Sequence, residues 1–171
     1  AAKADLDARR LITAAKNGDI DTAKAVPELD LSARHGHAVC QLLLDAGADV
    51  EATDTDGNTP LYLAILNGNI AVYNKLWHNS EKSPTDWGVM LRATNDNGET
   101  PLHLAVKSKK VEIPTEFLEK ATSQGIIQTV VNATDSEGRT PLHLAAFYGH
   151  TRVCQLLIHE GAAPDATDNA E

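Results

Sequence analysis

This chain of 171 residues has no long apolar run and fewer positive than negative charges. No apolar stretch approaches the length of about 18 residues that suggests a membrane-spanning helix, and no secretory signal peptide is visible. The 15 Lys and Arg residues are outnumbered by 24 Asp and Glu residues, which leaves a formal net charge of −9. Nonspecific binding to nucleic acid depends on a basic surface. We therefore expect neither membrane insertion nor a nucleic-acid partner.

Motifs that carry catalysis or hold metal ions are also missing. The sequence contains no phosphate-binding loop, no GxSxG and no CxxC. His35 and His37 are two positions apart, a spacing that does not bring two ligands onto one face of a helix. Residues 53–57 resemble part of a calcium loop, but Ala52 and Leu63 would take its first and twelfth ligand positions. We predict a protein without enzymatic activity, cofactor or metal site.

The sequence does contain one structural unit in several copies. Residues 138–157 read GRTPLHLAAFYGHTRVCQLL. Thr140 suits a helix N-cap, Pro141 suits the first helical turn, and Gly149 suits the helix end. A second helix follows with an apolar stripe. Two short helices cannot bury their apolar faces alone, so this unit requires similar units beside it.

Copies of the unit occur along the chain, as NTPLYLAILNGNIAVYNKL at 58–76 and ETPLHLAVKSKKVEIPTEFL at 99–118. Weaker versions are LDLSARHGHAVCQLLL at 29–44 and LITAAKNGDI at 11–20. Together with turn-rich links such as GADVEATDTDG, this pattern resembles the ankyrin-repeat family. The resemblance implies an all-α solenoid of helix-turn-helix units with β-hairpin fingers, in about five repeats.

We predict a single ankyrin-repeat domain over residues 1–171. Its parts are a cap repeat at 1–26, repeat 2 at 27–57, repeat 3 at 58–97 with an insertion at 78–90, repeat 4 at 98–137 with an insertion at 124–131, and repeat 5 at 138–171. The spacing near Val26 and Pro27 leaves two explanations: the first repeat lacks a finger, or residues are missing there. We expect the native chain to continue past Glu171.

The insertions carry their own predictions. Pro114 is disfavoured beyond the first turn of a helix, so the second helix of repeat 4 is expected to start near it. Gly125 is expected to stop that helix, and the β-branched residues that follow must be covered. Trp87 is placed on a short extra helix, where it either packs back on Leu76 and Trp77 or anchors a partner.

Two pairs of residues occupy equivalent slots in different repeats. Cys40 and Cys154 both stand in the sequence VCQLL, and we expect both thiols to be buried and unpaired. His103 and His143 stand in the TPLH slot. The resemblance implies that each forms a structural hydrogen bond to Thr and to the backbone of the adjacent finger.

The resemblance also implies a concave face built from finger tips and first helices. The candidate partner-binding residues on it are Arg34, His35, Asp56, Asn58, Leu66, Asn67, Asp96, Asn97, Glu99, Ser136, Glu137, Arg139, Phe147 and Tyr148. Phe147 and Tyr148 stand out as adjacent aromatic residues at helix positions that face this groove. Because aromatic side chains are enriched in interface hot spots, we expect the footprint to centre on them.

We predict a scaffold that binds another protein, with a basic patch on the partner to match the acidic fingers. One alternative is that the repeats are the recognition arm of a larger effector, channel or enzyme whose active part lies elsewhere. A remote alternative is nucleotide or small-molecule binding by Trp87, Lys107, Lys109 and Lys110. We expect a monomer in a reducing compartment, the cytoplasm or the nucleus.

Overall fold

The chain divides into two compact units in a computed structural model that describes residues 2–17, 36–80, 91–108 and 110–170. Unit 1 comprises residues 1–84 and unit 2 comprises residues 85–171. Within the described ranges the chain forms nine helices and no strand. The prediction of an all-α fold is confirmed. The predicted repeat boundaries stay a prediction.

Unit 1 contains two pairs of helices. They are α1 (Ala2–Asn17), α2 (Gly36–Asp45), α3 (Pro60–Leu66) and α4 (Ile70–Ser80). Helix α1 packs against α2 and α3, and α4 packs against the same two helices. The core includes Leu11, Ala14, Cys40, Leu63 and Tyr73, each at most 3% exposed.

Helix α1 lies directly against α3, the first helix of repeat 3. The sequence had placed repeat 2 between the cap and repeat 3. Residues 18–35, which include the start of repeat 2 and the junction at Val26 and Pro27, lie outside the described residues. The two explanations for that junction therefore stay open.

Unit 2 contains the two clearest repeats. Its helices are α5 (Pro101–Lys107), α6 (Glu112–Ser123), α7 (Ile127–Val131), α8 (Pro141–Phe147) and α9 (Thr151–His159). Helix α5 packs against α6 and α8, α9 packs against α8 and α6, and α7 packs against α6. The core is formed by Leu104, Ala105, Ile113, Phe117 and Leu157, each at most 1% exposed.

The Thr-Pro sequence at residues 140–141 starts helix α8 as predicted, with Thr as the N-cap and Pro in the first turn. The Thr140 hydroxyl accepts the His143 N–H at 3.4 Å, and Pro141 opens α8 at a position where its missing N–H has no cost. Gly149 has a φ of 71°, which a residue with a side chain rarely adopts, and ends the helix as predicted.

The helix start and the helix stop predicted around Pro114 and Gly125 are both observed. Helix α6 begins at Glu112 with Pro114 in its first turn, and Gly125, at φ 69°, follows its end. The β-branched run beyond it forms the short helix α7. Val130 and Val131 are fully buried there, so the predicted cover exists. Residues 81–90, with Trp87, lie outside the described residues.

The links between repeats are tight turns, which we name fingers. Finger 1 is residues 54–58, finger 2 is residues 95–99 and finger 3 is residues 135–139. In each, the N–H of the first residue donates to the carbonyl of the fifth, at 3.0, 3.1 and 3.0 Å respectively. Among the described residues no strand extends from this bond, so the fingers are turns instead of the expected β-hairpins.

The two cysteines differ. Neither forms a disulfide, as predicted. Cys40 is fully buried, and burial raises the pKa of its thiol to about 12. Cys154 is only half-buried, so the prediction of two buried thiols is wrong for this residue. It lies on α9, where Ile158 is also half exposed and the helix has solvent on one side.

Candidate protein-binding surface

Finger 3 is organised around the carboxylate of Asp135. Oδ1 accepts the N–H groups of Glu137 and Arg139, both at 2.9 Å. Oδ2 accepts Arg139 Nε at 2.9 Å, and Arg139 Nη1 lies 2.9 Å from Glu137 Oε2. Burial would raise the pKa of Asp135, but the hydrogen bonds from Arg139 and Glu137 outweigh it and lower the pKa. Arg139 therefore forms its ion pairs with Asp135 and Glu137, within the finger.

Finger 2 repeats this design with Asn95 in place of the aspartate. Asn95 Oδ1 accepts the N–H groups of Asn97 and Glu99, at 3.1 and 3.0 Å. Asn95 Nδ2 donates to Glu99 Oε2 at 3.0 Å, and Lys107 forms an ion pair with Glu99 Oε1. Lys107 thus already has an anionic partner. Of the other members of the nucleotide platform considered from the sequence, Trp87 and Lys109 lie outside the described residues, and Lys110 is exposed.

Finger 1, in unit 1, uses the same bonds. Asp54 Oδ1 accepts the N–H groups of Asp56 and Asn58, at 3.0 and 2.9 Å. Asn58 Nδ2 donates hydrogen bonds to both carboxylate oxygens of Asp54, at 3.2 and 3.3 Å. The first and fifth residues of each finger are hydrogen-bonded to each other. The second and third residues are exposed to solvent.

This pattern divides the predicted finger residues. The exposed second and third residues are Thr55, Asp56, Asp96, Asn97, Ser136 and Glu137. Asn58 and Glu99 were expected on the surface, but they are 7% and 4% exposed because their side chains bond within the finger. Arg139 is half-buried for the same reason. We therefore leave Asn58 and Glu99 out of the candidate surface.

The C-terminal ends of the first helices carry the remaining candidates. In unit 1, Leu66 and Asn67 are exposed, and Asn67 Nδ2 donates to the Leu63 carbonyl at 2.8 Å. The Asn67 side chain caps the end of α3 and keeps its carbonyl oxygen available. Arg34 and His35 lie outside the described residues.

Unit 2 presents an aromatic cluster at the end of α8. Phe147 is 81% exposed and Tyr148 is 46% exposed, and their rings meet edge to face at 5.1 Å. Tyr148 also stacks on His150, with ring centres 6.0 Å apart. We name Phe147, Tyr148 and His150 the aromatic cluster. The sequence identified the first two. His150 was missed, although its place in the turn after Tyr148 was a usable signal.

His103 confirms the predicted structural role of the TPLH slot. Its Nδ1 accepts the Thr100 N–H at 3.2 Å, so the ring proton is on Nε2, which donates to the Arg139 carbonyl at 3.0 Å. Burial lowers the pKa of His103, which favours the neutral ring. His143 makes the same bond to Thr140, at 3.1 Å. Within the described part of the chain its Nε2 has no partner, so only half of that prediction is met.

One groove of unit 1 was not found from the sequence. A cavity of about 600 Å³ lies between α1 and the approach to finger 1. Its lining is Ala8, Arg9, Ile12, Thr13, Ala52, Thr53, Asp54 and Thr55. Sequence periodicity gives the faces of α1 but does not say which finger it packs beside. This groove therefore depends on the tertiary packing of α1.

Comparison with known families agrees with this architecture. A model described as ankyrin repeats in three copies matches residues 85–168, and one described as ankyrin repeats in many copies matches residues 29–76. The chain belongs to the ankyrin-repeat family. Ankyrin repeats generally mediate protein–protein interaction, and ankyrin-repeat proteins are typically non-enzymatic binding scaffolds. No curated protein matches the chain.

The helices give no indication of a membrane segment. Of the helices in the described ranges, none is both long enough and apolar enough to cross a bilayer. The compartment and the oligomeric state stay predictions from the sequence.

Proposed function

We propose that this protein binds a partner protein through the aromatic cluster and the fingers of unit 2. The observation that carries the proposal is the exposure of Phe147, which is 81% accessible at the end of a helix whose other face is buried. An aromatic side chain left in water forgoes roughly 1.5–3 kcal/mol of burial free energy. Binding to a partner would recover it, as aromatic hot spots do.

The charges of the fingers in unit 2 support a partner with a basic patch. The exposed acidic tips of unit 2 are Asp96 in finger 2 and Glu137 in finger 3. Arg139 offsets part of the charge of Glu137 at 2.9 Å, so Asp96 is the stronger anionic contact. The net charge of −9 adds a long-range attraction for a cationic surface. The same surface would serve if the repeats were the recognition arm of a larger protein.

The test compares partner capture by three forms of the protein. The double variant Phe147→Ala/Tyr148→Ala removes the two rings that the proposal needs. The matched control is Ile158→Ala, because Ile158 is also a large, exposed apolar residue of unit 2 but lies on α9. We expect the wild type and the control to capture the same proteins, and the double variant to lose at least about 2 kcal/mol of binding free energy, mostly through faster dissociation.

A second pair of variants tests the charge. Asp96→Lys and Glu137→Lys should slow association with the captured partner, and the effect should shrink as salt is raised. Normal binding by a folded Phe147→Ala/Tyr148→Ala protein would contradict the proposal. Loss of binding in Ile158→Ala alone would move the interface to the outer helices.

A further inference from the structure

Two pairs of asparagine followed by glycine lie in different local structures. Asn67 and Gly68 follow the last turn of α3 in unit 1, whereas Asn97 and Gly98 are the third and fourth residues of finger 2 in unit 2. Glycine after asparagine favours loss of the side-chain amide, because no side chain shields the glycine nitrogen when it attacks the asparagine carbonyl. The glycine of a third pair, at residues 17–18, lies outside the described residues.

The side chain of Asn67 is held at the end of its helix. Its Nδ2 donates to the Leu63 carbonyl at 2.8 Å, and its backbone N–H donates to the same carbonyl at 3.0 Å. The Gly68 N–H donates to the Ile65 carbonyl at 3.1 Å. Attack by the Gly68 nitrogen on Asn67 Cγ therefore requires both the glycine bond and the side-chain bond to break.

The side chain of Asn97 is held less firmly. It is exposed, and its amide group forms no hydrogen bond within the described part of the chain. The Gly98 N–H donates to the Asn95 carbonyl at 2.9 Å, a bond equivalent to that of Gly68. The same attack at Asn97 therefore requires one hydrogen bond fewer to break.

We propose that Asn97 is a site of spontaneous deamidation. The Gly98 nitrogen loses its proton to hydroxide and forms a bond to Asn97 Cγ, and the side-chain nitrogen takes a proton from water and leaves as ammonia. Water then opens the resulting succinimide at either carbonyl and yields aspartate or isoaspartate. Each product adds one negative charge to the net charge of −9.

Finger 1 shows that aspartate fits this position. Asp56 is the third residue there, and its N–H donates to Asp54 Oδ1 at 3.0 Å, as the Asn97 N–H does to Asn95 Oδ1 at 3.1 Å. Glu137 is the third residue of finger 3. Conversion of Asn97 to aspartate therefore gives all three fingers an acidic third residue within the same turn.

The isoaspartate product disturbs the contact between fingers 2 and 3. In isoaspartate the chain runs through the former side-chain carbonyl and gains one atom. The former main-chain carbonyl of residue 97, which accepts the Ser136 N–H at 3.0 Å, becomes a carboxylate. The contact has no room for this change, because a Cβ atom at Gly98 would lie 2.8 Å from Ser136 N. Isoaspartate should therefore destabilise unit 2, whereas aspartate should not.

The test compares the two pairs within one sample. The folded protein is incubated at mildly alkaline pH, and peptide mass spectrometry follows the loss of the amide at Asn97 and at Asn67. We expect Asn97 to react roughly tenfold faster, because one additional hydrogen bond holds Asn67. The matched control is the urea-unfolded protein, in which both pairs lack these bonds and should react at nearly equal rates.

Two variants test the chemistry and its product. In Asn97→Gln the peptide that contains residue 97 should keep its mass, because glutamine forms the larger cyclic imide far more slowly. Asn97→Asp supplies the charged product and should melt within about 1 °C of the wild type. Equal rates at Asn67 and Asn97 in the folded protein would overturn the proposal, as would a difference that persists in urea. Both measurements are independent of the proposed partner-binding function.

Discussion

Helices α5 and α8 have nearly the same sequence and different surroundings. They read PLHLAVK and PLHLAAF, and both begin with a Thr-Pro start. Leu102 and His103 of α5 are fully buried beneath α8, whereas Leu142 and His143 of α8 are half-buried. The motif therefore determines the helix and its faces, and the neighbouring repeat determines how much each face contributes to stability.

The largest expected effect is a difference in the free energy of unfolding between substitutions at equivalent positions of α5 and α8. Leu102→Ala removes a fully buried side chain and should lower the free energy of unfolding by about 2–5 kcal/mol. Leu142→Ala, at the same position of α8, should cost roughly 1 kcal/mol, because part of the side chain already contacts water. Urea denaturation of the two variants measures the difference.

Leu104→Ala and Leu144→Ala serve as controls for that comparison. Both side chains are buried, at 1% and 2% exposed. Both substitutions should cost about 2–5 kcal/mol. Equal losses at Leu102 and Leu142 would show that the cover over α5 does not distinguish the two helices.

The next effect concerns the fingers that lead into α5 and α8. Asp135→Ala leaves the N–H groups of Glu137 and Arg139 without their acceptor and should cost about 2–3 kcal/mol. Asp96→Ala, at an exposed tip, should stay within about 0.5 kcal/mol. Thermal denaturation of both variants tests the division between first and tip residues. A severe loss from Asp96→Ala would contradict it.

Acidification should lower the free energy of unfolding, because α5 contains the buried residue His103. Burial lowers the pKa of His103 below its ordinary value of 6.5, so the unfolded chain binds a proton that the folded chain resists. The free energy of unfolding should then decrease as the pH falls below about 6.5, toward the folded pKa. His103→Asn should flatten this slope. Leu142→Ala, which removes no titratable group, should keep the slope of the wild type.

The smallest expected effect comes from exchanging a surface residue between the two helices. Phe147 of α8 stands where α5 has Lys107, and it is 81% exposed. Phe147→Lys should change the free energy of unfolding by no more than about 0.5 kcal/mol. A clear loss of stability in urea would mean that Phe147 supports the fold and is not reserved for a partner.

Much of the fold could be predicted because its signals are local. Thr140 and Pro141 start a helix and Gly149 ends it through bonds within a few residues. The late start of α6 and the stop at Gly125 follow from the same kind of local chemistry. Repetition of the unit then indicated the family before any tertiary contact was known.

The candidate surface could be predicted only in part. Phe147, Tyr148 and the finger tips are exposed as expected, because their positions in the repeat leave them on the outside. Asn58 and Glu99 are buried, because each returns to the first residue of its finger. The residue type alone does not show whether a polar side chain is exposed at the tip or hydrogen-bonded inside the finger. The folded turn decides between these two positions.

The sequence by itself determined the repeating unit, its helix boundaries and its apolar stripe, since these depend on bonds and periodicity within about 33 residues. The tertiary structure alone decided which copies of the unit are covered. It buried Cys40 and left Cys154 half-buried. It also gave Nε2 of His103 a carbonyl partner, whereas Nε2 of His143 has none among the described residues. The physical reason is that burial belongs to a pair of packed elements, whereas a motif describes only one of them.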